Sequence, residues 1–384
     1  MKIGIVTCWQ PDDNYGTQIQ CFALQKYLRS LGHDAYLIRY KRFEDVKKTK
    51  ITFLRILKIF NPYIVVRHLY YSLIAKRKAA EIKNHNRKSP EFRDKYLQMT
   101  DIYETYTDLK NNPPIADLYI VGSDQVWNIN IEHKNNIGVH FLNFGDSQTK
   151  RISYAASFGF SPDKLDLNFA YEVFPLLKNF SGISVRELSG IKICEKISNI
   201  NETKLLECVQ VCDPTMLLNQ EQYLEFFKDE IVDIPSKPYV FVYNIAAPSE
   251  LDINYIKKWA EKQNLQLVYT MGHGKTSKLP HIYPSVPEWI KLIANAQCVI
   301  TNSFHGTVFS LLFHKHCAVY PIKLKTPTNS RLDTLIDLCE QNIIVSKGNA
   351  LEKALAATVD WNKFEENKNN LKQLGINFLN KFLI

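Results

Sequence analysis

A short apolar run followed by a stretch with helical spacing recurs along almost the whole of this 384-residue chain. Apolar runs lie at 2–7, 35–39, 118–122, 151–155, 182–185 and 207–211, and again at 239–243, 266–269, 298–301 and 316–320. Between them, the stretches 16–31, 250–263, 286–294 and 307–313 repeat apolar residues at three- and four-residue intervals. Runs this uniformly apolar suit strands buried on both faces, and strands separated by helices pair in parallel. The expectation is an α/β protein whose parallel sheets are covered by helices. A chain of this length outgrows one core, so two domains are expected. The turn-rich stretches Asp213-Pro-Thr-Met-Leu-Leu-Asn219 and Asp233-Ile-Pro-Ser-Lys-Pro238 mark the junction, giving domains at 1–215 and 216–350 and a helical tail over 351–384.

Hydrophobic residues make up 45% of the chain and charged residues 23%, the balance of a globular protein rather than a disordered one. The opening run ends at the polar turn Gln10-Pro-Asp-Asp-Asn14, so it reads as a first strand and not as a secretory signal. No apolar window approaches the roughly 18 residues of a membrane-spanning helix, and a cytoplasmic setting is expected. The eight cysteines form no Cys-x-x-Cys pair and several sit in apolar runs, which predicts buried reduced thiols. His314 and His316 lack partners at ligand spacing, so neither a metal nor a cofactor is expected.

The net charge of +9 is concentrated. Residues 41–95 hold sixteen Lys and Arg against five Asp and Glu, which leaves the remainder slightly acidic. Within that segment, 51–60 and 63–71 interleave large apolar residues with Arg and Lys, and Lys76-Arg-Lys78 follows. This is the pattern of an interfacial helix, and peripheral contact with the anionic inner face of a membrane is expected. The alternative is an apolar face packed on the first domain with solvated charges outside. No recognisable nucleic-acid module accompanies the basic residues.

Ligands of open parallel sheets bind beyond the carboxyl ends of the strands, where loops and helix starts converge. Polar residues at those positions are Asp12, Asn14, Tyr15, Gly16, Ser123, Asp124, Ser157, Gly159 and Arg186 in the first half. The second half adds Asn244, 272–275 and Thr301-Asn-Ser-Phe-His-Gly-Thr307. In this last run Gly306 and Thr307 are expected to open a helix whose amides, with the Ser303 and Thr307 hydroxyls, suit a phosphate. His305 would sit beside that anion as a proton donor, or else be a core histidine behind a capped helix. Arg186 offers a planar fork for carboxylate or phosphate, or a surface pair with Glu187. Asp124 is a site carboxylate or a helix cap. Trp127 gives a sugar a face to stack on, or fills a core.

Taken in order, Asn14-Tyr-Gly16 with Gln20 and Ala23-Leu-Gln25, Val121-Gly-Ser-Asp-Gln-Val-Trp-Asn128, Tyr154-Ala-Ala-Ser-Phe-Gly159, Ser184-Val-Arg-Glu187, Asp213-Pro-Thr215, and Ser303-Phe-His-Gly306 with Arg331 resemble the polysaccharide pyruvyl transferase family. The resemblance runs from about residue 2 to residue 340. It implies two Rossmann-like lobes facing across a cleft, as in GT-B glycosyltransferases, with the acceptor on the first lobe and the donor on the second. It also implies transfer of pyruvate from phosphoenolpyruvate to a sugar of a polysaccharide or its lipid-linked precursor, as a ketal, with release of phosphate. On this resemblance His305 and Asp124 are catalytic, and Arg186, Ser303, Gly306, Thr307, Lys325 and Arg331 bind the donor. Asn14, Tyr15, Trp127 and Asn128 would bind the acceptor. Some relatives carry Arg where this chain has Ser303, and Lys323, Lys325 or Arg331 could restore that charge. A nucleotide-sugar glycosyltransferase and a non-catalytic carbohydrate-binding protein of the same fold are the competing readings.

Overall fold

A computed structural model describes residues 1–9, 14–41, 87–128, 137–245, 249–272, 277, 279–322, 330–346 and 350–383. Most of the basic segment, 42–86, lies outside them, as do Asp12, Lys323 and Lys325.

The first lobe is built on β1 (Lys2–Val6), β2 (Asp34–Tyr40), β3 (Met99–Tyr103), β4 (Leu118–Val121) and β5 (Lys150–Ser153), in the order β3-β2-β1-β4-β5. Every pairing is parallel, with Ile3 opposite both Ala35 and Leu118, and Val6 opposite Val121. Bridges from Ile152 to Gly182 and from Ala156 to Val185 continue the sheet to β6 (Ile183–Val185), which pairs in parallel with β7 (Cys208–Gln210). The second lobe carries β8 (Tyr239–Asn244), β9 (Gln266–Met271), β10 (Cys298–Thr301) and β11 (Cys317–Val319), again all parallel, in the order β11-β10-β8-β9. Ile3, Ile5, Ile120, Val240, Val242 and Ile300 are fully buried, as expected for strands covered on both faces.

The strand β3 was not foreseen from the sequence. Its residues are half-buried or exposed at the sheet edge, so it shows no apolar run to read. The helix foreseen at 307–313 instead spans Phe304–Leu312, because Ser303 caps it three residues earlier.

Helices α1 (Tyr15–Ser30), α2 (Val286–Asn295), α3 (Phe304–Leu312) and α4 (Trp361–Asn380) shape the region between the lobes. Twelve residues of α1 are buried, which forces three glutamines into the interior, and each is satisfied there. Gln18 Nε2 donates to Trp9 O at 2.9 Å. Gln20 Nε2 donates to Thr7 Oγ1 at 2.8 Å while its Oε1 accepts Ser123 N–H at 3.2 Å, so α1 fixes the turn after β4. Gln25 exchanges two bonds with the backbone of Gln98 at the entrance to β3.

The chain ends on α4, which returns to the first lobe, where Gly375 sits so close to Tyr154 that an added Cβ would lie 2.5 Å from its hydroxyl. Among the described residues, no helix is long and apolar enough to cross a membrane.

Candidate active site

The strand ends of both lobes converge as the parallel topology requires. After β4, Gly122 takes φ +122° and has the Tyr154 carbonyl where a Cβ would be, 2.1 Å away, so only glycine fits. Asp124 follows with φ +68°, a left-handed conformation that Asp tolerates better than most residues. Arg186 and Glu187 extend from β6, and Asp213 follows β7 at the crossing to the second lobe. From the second lobe, β10 leads through Ser303 into α3, which puts His305 in the first helical turn.

Asp213 joins these groups. Its Oδ2 accepts Arg186 Nη1 at 2.8 Å, lies 3.0 Å from Ser123 Oγ and faces His305 Nε2 at 3.5 Å. Its Oδ1 accepts the N–H of Thr215 at 3.1 Å and the Thr215 hydroxyl at 2.7 Å. Arg186 also lies 3.5 Å from Asp124 Oδ1 and from Glu187 Oε2, and its guanidinium stacks over the Phe304 ring at 4.2 Å. Arg331 approaches the same ring at 6.0 Å. Ser157 donates to Glu187, which turns that carboxylate toward Arg186.

The cluster is buried: Arg186 and Asp213 are each 2% exposed and His305 5%, while the Asp124 side chain keeps 15%. Burial alone would raise the Asp213 carboxyl, but His305 and Arg186 outweigh it and hold it well below the carboxylate range. Asp124 is likewise pushed up by burial and pulled down further by Arg186, His305 and Arg331. Arg186 is held charged against burial by Asp213, Glu187 and Asp124. For Arg331, burial and then the like charge of Arg186 lower the affinity for its proton. Four polar atoms of the cluster, His305 Nε2, Arg186 Nε and Nη2 and Glu187 Oε2, are buried without a hydrogen-bond partner. Their 3.5 Å neighbours are within electrostatic reach but outside hydrogen-bond geometry.

The first lobe reaches His305 from the other side through α1. Asn14 caps that helix by accepting Thr17 N–H. Gly16 lies so close to the imidazole that a Cβ there would be 2.2 Å from His305 Nδ1. Tyr15 is buried against α2, stacked on Trp289 at 5.3 Å and 9°, and donates to Pro284 O at 2.7 Å. Arg87 donates to the Tyr15 hydroxyl at 3.0 Å and to Met271 O, and its guanidinium covers Tyr283 at 4.7 Å.

Several residues singled out in the sequence are therefore structural. Trp127 is 1% exposed, stacked on Phe141 at 5.4 Å and bonded through Nε1 to His140 O, so it offers no face to a sugar. Tyr15 is a lobe contact, and Asn128 is buried with Nδ2 on Gln125 Oε1. The Thr307 hydroxyl donates to Ser303 O and the Gly306 N–H to Ser303 Oγ, so neither is the free phosphate donor expected, whereas the Ser303 hydroxyl accepts there and keeps its own proton to donate. The first-turn amides left to an anion are those of Phe304 and His305. Asp213 entered the sequence reading through the junction and the Asp213-Pro-Thr215 motif, with no site role assigned to it. It follows an apolar strand just as Arg186 does, and the same rule of strand ends points to it.

No curated protein matches the sequence significantly. Solved structures resemble it in fold alone. UDP-N-acetylglucosamine 2-epimerase from Rickettsia bellii is 10% identical, with 100% of this chain and 97% of that one covered and a TM-score of 0.50. UDP-GlcNAc 2-epimerase from Neisseria meningitidis bound to UDP-GlcNAc is 12% identical over 99% and 100%, with a TM-score of 0.48. The glycosyltransferase SnogD from Streptomyces nogalater is 11% identical over 98% and 95%, with a TM-score of 0.39. Two facing lobes with parallel sheets make this a GT-B fold. The family model for polysaccharide pyruvyl transferase matches residues 14–323, a span that takes in α1, the whole Asp124–Arg186–Asp213 cluster and His305, and the chain belongs to that family.

Proposed function

We propose that this protein transfers pyruvate from phosphoenolpyruvate to a sugar of a polysaccharide or of its lipid-linked precursor, forming a cyclic ketal and releasing phosphate. The observation that supports this reading most is the buried meeting of His305 with Asp213, Arg186 and Asp124 across the lobes. An enol phosphate reacts when a proton is added at C3, and a trianionic donor needs cations around it. His305, as imidazolium, gives its proton to C3, which becomes a methyl group, while a sugar hydroxyl oxygen bonds to C2 and loses its proton. The bond from C2 to the phosphate oxygen then breaks, with the electron pair leaving on phosphate. A second hydroxyl of the same sugar adds to C2 and closes the ketal; of the two hydroxyl protons released, one restores the His305 imidazolium and the other leaves with phosphate.

Asp124 is the most exposed carboxylate of the cluster and is held ionised by its neighbours, so it suits accepting a hydrogen bond from the acceptor hydroxyl better than storing its proton. Arg331 lies beside Arg186, and a dianionic phosphate there would relieve both its burial and the like charge. That makes it the described candidate for the charge that Ser303 does not supply. The test is phosphate release from phosphoenolpyruvate with a panel of sugars and lipid-linked sugars as acceptors. Replacing His305 with Ala should leave the protein folded and cut release by about 10²–10⁴-fold, the range of a general acid. Undiminished release in His305→Ala would sink this mechanism.

A further inference from the structure

Asp213 is well placed for a task that the pyruvyl-transfer reading does not assign. One of its carboxylate oxygens is saturated by Thr215, through both the amide and the hydroxyl, on the stretch of chain that crosses between the lobes. That pair of bonds fixes the plane of the carboxylate. The other oxygen, already bound by Arg186, points at His305 Nε2 from 3.5 Å. Gly16 packs beside the ring, where an added Cβ would lie 2.2 Å from Nδ1 and 2.7 Å from Cγ.

We propose that Asp213 is the positioning residue of the site: its carboxylate orients the His305 ring with an Nε2–H toward Oδ2 and stabilises the imidazolium, so that the proton given to the donor leaves from Nδ1. The step rests on the pyruvyl-transfer reading. It is balanced as the breaking of Nδ1–H and the making of C3–H, with Nε2–H retained throughout. The other charged groups of the cluster are Asp124 from the turn after β4, which interacts with His305, Arg186 and Glu187 from the end of β6, and Arg331 from the helix Ser330–Cys339. On the α1 side Gly16 brings no charge. The two guanidinium groups oppose the imidazolium and the three carboxylates favour it; Asp213 is the carboxylate that faces it at 3.5 Å.

An NMR titration of isotopically labelled histidines, with His305 identified by its loss in His305→Gln, reads the effect without any turnover. In Asp213→Asn the His305 pKa should fall by about one unit or more, the size of a lost opposite charge. The alkaline limb of kcat for phosphate release should move down by the same interval, so that lowering the pH restores rate. KM for phosphoenolpyruvate should change less than kcat. A folded Asp213→Asn protein whose His305 titrates as in the wild type overturns the proposal. Should that variant fail to fold, Ser123→Ala removes a neighbour of Oδ2 and leaves the carboxylate freer for His305, whose pKa should then rise; an unmoved pKa overturns the proposal equally. Absence of phosphate release from phosphoenolpyruvate by the wild type would instead count against the pyruvyl-transfer reading, while the titration still decides whether Asp213 sets the charge on His305.

Discussion

At Tyr15 the first lobe meets the second through stacked rings, and one residue later, at Gly16, it meets it through the lack of a side chain. The first contact is apolar and closed: Tyr15 lies on Trp289, has Tyr243 edge-on at 5.4 Å, and has its hydroxyl on Pro284 O. Burial pushes its phenol up to about 12, so it stays neutral. The second contact sets an imidazole beside Gly16 and facing a carboxylate, within a cluster that keeps buried polar atoms without a hydrogen-bond partner. The aromatic junction gains from desolvation and fixes the spacing of the lobes. The polar junction is kept in a state that desolvation disfavours, and it holds together because each charge faces its opposite.

Three substitutions sharpen this contrast. The largest effect is expected from Arg186→Ala, which strands Asp213, Asp124 and Glu187 in the interior. Removing one partner of a buried charge network costs about 3–5 kcal/mol, so denaturant unfolding should show a loss of that order along with weakened donor binding. Wild-type stability in Arg186→Ala would mean that the cluster admits water. Next is Gly16→Ala, which within a helix would ordinarily stabilise by about 0.5–1 kcal/mol. Here the new Cβ overlaps His305, so about 1–3 kcal/mol of strain is expected, with phosphate release reduced at least tenfold. In a His305→Ala background the strain should disappear; a penalty that persists there would place the clash elsewhere. The smallest effect belongs to Tyr15→Phe, which keeps the stack and loses the bonds to Pro284 O and Arg87. A loss of about 1–3 kcal/mol is expected from those unpaired groups, with kcat nearly unchanged; a large fall in kcat would show that the aromatic junction also tunes the chemistry.

The parallel strands and their ends were legible because apolar runs and the polar residues after them report directly on topology. The rule of strand ends named Asp124, Arg186 and His305, which the structure brings into one cluster although they are 62 and 119 residues apart in the chain. It failed where identity does not reveal direction. Trp127 and Tyr15 also follow strands, but their rings turn into aromatic packing. Thr307 was misread because its helix begins at Phe304, three residues earlier than the glycine suggested, and its hydroxyl is spent on the first turn. Asp213 was named within a motif but given no role, because Pro214 made the stretch read as a connection.

The position of Asp213 also bears on how such a protein could be recombined. Arginine and carboxylates come from one half of the chain and the imidazole from the other, and the residue that touches both stands at the crossing itself. Exchanging the second lobe for that of a relative would therefore carry away His305 but leave behind its carboxylate partner and the glycine that makes room for it. Modularity in this fold stops short of the buried cluster: a workable graft has to include the first turn of α1 and the Asp213–Thr215 crossing as well as the lobe being moved.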